Sequence, residues 1–183
     1  MTDCFLERDF DPPIDSATVI AMALDCFGCF NIHRVDWCQS FLAKNGGRMV
    51  CWFRAPDLES SRIAMRQSNV DCRSLWRGSV HDKPGLREGE GATANVLVER
   101  RFDKAVTLEQ IQAIEDAGIS CLETRDVHFV RTFFSADRQR MICLYRAPDA
   151  ESVREAQREA GVPFTDAWAF RSIGPSDVQL TGI

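Results

Sequence analysis

The sequence predicts an α+β protein in which two ferredoxin-like βαββαβ repeats pair within one chain to form a pseudo-dimeric α+β barrel. Three observations predict it. The chain repeats itself at an offset of 92 without a gap from Cys4 to Gly78, with 22 identities over 75 aligned positions. Each copy reads in the order strand, helix, strand, strand, helix, strand, the split βαβ pattern. One such unit covers a single sheet face with helices, so two copies gain by burying their bare faces together. The expected organisation is repeat 1 at 1–80, a linker at 81–95, repeat 2 at 96–174 and a tail at 175–183.

The repeat is carried by chemistry-bearing positions. Glu7, Arg8, Phe10 and Asp11 fall on Glu99, Arg100, Phe102 and Asp103. RMVCWFRAPDLESSR (48–62) falls on RMICLYRAPDAESVR (140–154), and Trp76 falls on Trp168. In order, LERDF and VLVERRF predict first strands. Asp15 marks the start of the first helix of repeat 1, and Thr107 with Gln110 forms a capping box in repeat 2. VDWCQSFLA and VHFVRTFFS predict long second strands. After turns at Asn45-Gly46-Gly47 and Asp137 come the third strands, RMVCWFR and RMICLYR. Asp57 and Asp149 follow Pro56 and Pro148 and cap second helices that end at Asn69 and Gly161, residues suited to a left-handed position. Strands holding Trp76 and Trp168 close the units. Between them, SVHDKPGLREGEGATAN (79–95) is rich in glycine and charge and predicts a linker able to span about 55 Å if extended.

Composition excludes several classes. With 183 residues, 45% hydrophobic and 27% charged, including 12 Phe and 4 Trp, the chain has the content of a folded core rather than of a disordered chain. No apolar run is long enough to span a bilayer, and MTDCFLERDF lacks the basic and apolar blocks of an export signal. A net charge of −5 without a basic stripe argues against nucleic acid. The expectation is a cytoplasmic protein whose eight cysteines are thiols, with neither nucleic acid nor membrane as partner. It acts as a monomeric pseudo-dimer, with further oligomerisation open.

Strand parity then assigns candidate residues. Val50, Trp52, Ile142 and Leu144 are purely apolar and are expected under the helices, which sends Cys51, Phe53, Cys143 and Tyr145 to the space between the sheets. The second strands send Trp37, Gln39, Phe41, Phe129, Arg131 and Phe133 the same way, joined by Glu7 and Glu99. The expected ligand cavity is thus lined by Glu7, Trp37, Gln39, Phe129, Arg131 and Tyr145. Structural roles account for the same residues: Glu7 with Arg8 and Glu99 with Arg100 as cross-strand ion pairs, Cys51 and Cys143 as packing thiols. Cys26-Phe-Gly-Cys29 is a CxxC, but repeat 2 has Gly118 and Cys121 there, and it closes a helix rather than opening one, which argues against structural zinc or a redox dithiol.

VERRF (98–102), CLYRAPDAESVREA (143–156) and AGVP (160–163) resemble the nickel-binding ferredoxin-like protein family, strongly in repeat 2 and colinearly in repeat 1. The resemblance implies a ferredoxin-like fold assembled as a dimeric α+β barrel, and nickel as a cofactor. The matched positions are Glu99, Cys143 and Tyr145, with Glu7, Cys51 and Phe53 in the first copy. Where many members carry a histidine in the second strand, this chain has Gln39 and Arg131.

Three functions stay open. The first is a small metal- or small-ligand-binding protein, with Cys51, Cys143, Glu7 and Glu99 as metal ligands by the resemblance. The second is an enzyme holding a small organic anion on Arg131 while Glu99 or His128 moves a proton. The third is a non-catalytic stress or regulatory module that uses its outer helices.

Overall fold

A computed structural model describes residues 1–87 and 90–180. They fall into two compact units, Met1–Gly78 with Arg171–Ile183, and Ser79–Phe170.

The first unit contains β1 (Thr2–Asp9), α1 (Ser16–Ile32), β2 (Asp36–Ala43), β3 (Arg48–Ala55), α2 (Leu58–Gln67) and the start of β4 (Leu75–Asp82). β1 pairs with both β3 and β4, and β2 pairs with β3, all antiparallel, giving the ferredoxin-like order β4-β1-β3-β2. The second unit repeats this with β5 (Val96–Arg101), α3 (Leu108–Ala117), α4 (Ile119–Thr124), β6 (His128–Ser135), β7 (Arg140–Arg146), α5 (Ala150–Glu159) and β8 (Asp166–Ile173), in the order β8-β5-β7-β6. A last helix, α6 (Pro175–Leu180), packs on α1 and β2 of the first unit.

Register repeats at the offset of 92: Cys4 lies opposite Phe53, and Val96 opposite Tyr145. Local chemistry explains the ends of the elements. The carboxylates of Asp15, Asp57 and Asp149 accept from the amides of Thr18, Ser60 and Ser152 at 2.9, 2.7 and 2.7 Å, taking up donors that a helix start leaves without partners. Thr107 and Gln110 exchange the two bonds of a capping box, at 2.8 and 3.2 Å. Asn69 and Gly161 take left-handed φ of 55° and 68° just past their helices. Gly46, with φ 74°, is required twice over, since a Cβ there would stand 2.2 Å from the Ile14 carbonyl oxygen.

Two expectations change. The segment read as a linker is ordered over its first residues: β4 runs to Asp82, and the Lys83 amide donates to the Val130 carbonyl at 3.0 Å. The first helix of repeat 2 breaks at Gly118 into α3 and α4, whereas α1 runs unbroken for 17 residues. A Cβ at Gly118 would stand 2.3 Å from the Ala160 Cβ, so the break is packed hard against the end of α5. The corresponding pair in repeat 1 is Cys26 and Ser68, so a side chain stands in the first unit where the second has only a hydrogen.

The third-strand parity is reversed. Cys51 and Phe53 belong to the core under the helices with Leu6, Val19, Phe30 and Met65, and Cys143 and Tyr145 to its counterpart with Val98, Ile111 and Val153. Val50, Trp52, Ile142 and Leu144 take the other sheet face. In the second strands, bulges between Trp37 and Gln39 and between Phe129 and Arg131 switch faces partway along. Trp37 and Phe129 therefore join the helix-covered cores, while Gln39, Phe41, Arg131 and Phe133 lie opposite.

Candidate functional site

The residues offered as metal ligands do not converge within either unit. Cys51 lies opposite Leu6 and Glu7 opposite Val50, which puts the thiol and the carboxylate on opposite faces of one sheet. Cys51 accepts from the Ser40 hydroxyl at 3.0 Å, and burial pushes its thiol up to about 11, so it stays protonated and a poor ligand. Glu7 instead accepts from Trp76 Nε1 at 2.8 Å. The second unit repeats the arrangement, with Cys143 and the Thr132 hydroxyl 3.1 Å apart and Trp168 Nε1 donating to Glu99 at 2.8 Å. Among the described residues no three His, Cys, Asp or Glu side chains gather around one point. Cys51, Cys143, Glu7 and Glu99 therefore do not fit nickel, and no chemistry through a metal is derived from them.

Of the expected cavity residues, Trp37, Phe129 and Tyr145 lie in the helix-covered cores and Glu7, Gln39 and Arg131 on the other face of their sheets. Arg131 forms a two-pronged pair with Asp82, its Nη2 lying 3.1 Å from Oδ2, so the guanidinium proposed to hold an organic anion already holds a carboxylate. His128 is bonded to Asp126 at the surface. Gln39 donates to the Ser172 hydroxyl at 2.7 Å. Tyr145 is fully buried, with Phe129 edge-on at 5.9 Å between centroids, and its hydroxyl accepts from Arg100.

In the first unit a pocket of about 420 Å³ opens between α1 and the helix-covered sheet face, with α6 contributing Pro175 and Val178. Its walls are mostly apolar: Leu6, Val19, Met22, Phe30 and Met65 among others. The neutral Cys26 and Cys51 thiols, the Ser40 hydroxyl and an exposed Asp36 add a few polar atoms, and burial raises the Cys26 thiol as well. Of the sequence-predicted residues, Trp37, Cys51 and Phe53 line this pocket. The segment that builds it is unusual. α1 carries one charged residue, Asp25, in 17, and leaves Leu24, Phe27 and Ile32 exposed at 36%, 65% and 75%. Leu24 and Phe27 also line the pocket, so its rim is apolar.

Arg8 is the cation of this pocket. It reaches from β1, its Nη1 donating to Met22 Sδ at 3.6 Å and its guanidinium carbon standing 4.8 Å from the centre of the Phe10 ring. The sequence suggests for it only a structural ion pair with Glu7. Two signals in the sequence mark the site: a first helix in repeat 1 nearly free of charge, and Cys26 where the other copy has glycine.

Comparison with known proteins fits this architecture. The crystal structure of TA0507, a chlorite dismutase by name, matches with a TM-score of 0.54 at 13% identity, covering 100% of this chain and 98% of its own. Chlorite dismutase from Candidatus Nitrospira defluvii in complex with imidazole matches with a TM-score of 0.51 at 12% identity, covering 98% and 93%. The fold is therefore the α+β barrel class built from two ferredoxin-like units. The family described as nickel responsive protein SCO4226-like matches residues 97–169, which lie in the second repeat. The crystal structure of SCO4226 from Streptomyces coelicolor A3(2) aligns at 22% identity with a TM-score of 0.37, over 40% of this chain and 91% of its own. No curated protein matches the sequence. No helix among the described residues is long and apolar enough to cross a membrane.

Proposed function

We propose that the first unit binds a small, mainly apolar organic molecule in the pocket beneath α1. The observation that carries this is the pocket itself: about 420 Å³ with apolar walls and a few polar atoms, within the size range and composition of small-molecule sites. The exposed Leu24 and Phe27 at its rim favour an apolar ligand passing between water and the interior. The thiols inside are protonated, so they act as soft, neutral wall atoms. Nickel, which the family name attaches to the relatives of the second repeat, is not the ligand proposed, because Cys51 and Glu7 stand on opposite sheet faces.

The test uses N-phenyl-1-naphthylamine, a neutral fluorophore that brightens on leaving water. Saturable binding of about one equivalent is expected, weakened about tenfold or more in Ala23→Phe, which fills the pocket from α1. Circular dichroism identifies variants that keep their helices. Absence of saturable binding to the folded wild type, or binding untouched by Ala23→Phe, overturns the proposal.

A further inference from the structure

We infer that the ligand of the first unit is an apolar monocarboxylate whose headgroup sits on Arg8; this rests on the pocket being a ligand site.

The two repeats supply the argument. Arg8 and Arg100 occupy the same position of their units, 92 residues apart. Arg100 is buried, and its Nη2 donates to Gln157 Oε1 at 2.7 Å and to the Tyr145 hydroxyl at 3.3 Å. At the two corresponding places the first unit has Met65 and Phe53, which offer no oxygen. Both of these line the pocket together with Arg8, so the first unit presents apolar walls where the second unit holds its acceptors. Among the described residues Arg8 has no carboxylate within ion-pair distance. Its contacts are a thioether and an aromatic ring, and Asp71, the carboxylate that feels its charge, is bonded to Arg73 at 2.8 Å.

A guanidinium carries five donors in a planar fork, and a carboxylate is the small group that matches two of them at once. The planar amide oxygen of Gln157 marks where such an oxygen sits in the second unit. The remaining walls are apolar, which calls for a hydrocarbon or aromatic body behind the headgroup. Asp36 on the lining repels a second negative charge, favouring a monoanion over a dianion.

Displacement of N-phenyl-1-naphthylamine by decanoate, 1-decanol and decylamine tests this on the full chain. Decanoate is expected to bind about tenfold or more tightly than decanol, with decylamine weakest. Arg8→Gln should bring decanoate and decanol together. Met65→Gln, which imports the acceptor of the second unit, should weaken decanoate more than decanol and so narrow the gap between them; this variant keeps Arg8 and tests the headgroup site independently of any folding role of the arginine. Equal affinities for decanoate and decanol in the wild type overturn the carboxylate assignment and leave the pocket proposal standing. A preference that survives Arg8→Gln overturns the role of Arg8. Failure of the fluorophore and all three chains to bind the folded protein overturns the pocket proposal itself.

Discussion

Arg100 is 1% exposed and donates to Gln157 Oε1 at 2.7 Å, spanning from β5 to α5 across the core of the second unit. A buried guanidinium is tolerated only when acceptors meet it, so the pair couples helix to sheet through one charge-assisted bond. Gln157→Met should therefore lower stability by about 1–3 kcal/mol, by removing an acceptor while keeping side-chain volume. Urea unfolding followed by tryptophan fluorescence checks it. In Met65→Gln the new oxygen faces Arg8, so its loss should be much smaller; equal losses for the two variants would refute the asymmetry.

Helix packing in the second unit depends on a missing side chain. The position of a Cβ at Gly118, 2.3 Å from the Ala160 Cβ, leaves no room between the start of α4 and the end of α5. Gly118→Ala should cost about 1–3 kcal/mol, the usual range for overpacking. Ala160→Gly in the same chain should recover part of that loss, because it removes the atom struck; a double variant no more stable than Gly118→Ala would show that the contact is not the cause. The measurement is the urea midpoint with its slope held constant.

How far the sequence predicted this fold depends on which signals had a polar phase. Caps, turns and the left-handed ends were legible because Asp15, Asp57, Asp149, Asn69 and Gly161 act through local backbone geometry that residue type dictates. The facing of β3 and β7 was not. Both strands are apolar on both sides, so Val50 and Cys51 are equally suited to either face and alternation carries no information. The bulges at Cys38 and Val130 then moved Trp37 and Phe129 to the face opposite the one their parity with Gln39 and Arg131 assigned. The pocket is not legible in the repeat because residues on its wall differ between the copies, Cys26 against Gly118 and Met65 against Gln157, and a repeat shows itself through identities.

The burial of Cys51 predicts an alkaline limit to stability. Its thiol is pushed up to about 11, chiefly by desolvation, with the Ser40 hydroxyl and Arg8 acting in the other direction. A group whose folded value is raised holds its proton more tightly in the native state. Its contribution is complete below the ordinary thiol value of 9.0 and is lost as pH rises toward 11. Urea midpoints should fall over that window, and Cys51→Ala should flatten the fall even though it lowers stability at neutral pH by leaving a small cavity. An unchanged slope in Cys51→Ala would assign the alkaline loss to other groups.

At the acid end the helix caps set the behaviour. The carboxyls of Asp15, Asp57 and Asp149 are held below the ordinary value of 3.8, first by the backbone amides of Thr18, Ser60 and Ser152 and then by the hydroxyls of those residues. A group whose folded value is depressed contributes fully above its ordinary value and loses that contribution as pH falls through the folded value. Midpoints measured from about pH 6 down to pH 2 should therefore drop with acid. Asp57→Asn and Asp149→Asn keep an oxygen that can cap the same amides but remove the titration. The double variant should match the wild type's helicity near pH 6 and show a shallower acid limb, while Asp57→Ala with Asp149→Ala should lower the midpoint at every pH. The limb should not vanish, because Asp71 and Glu151, bonded to Arg73 and Arg154, are depressed as well. An acid limb as steep in the asparagine variant as in the wild type would show that the caps contribute nothing to acid unfolding.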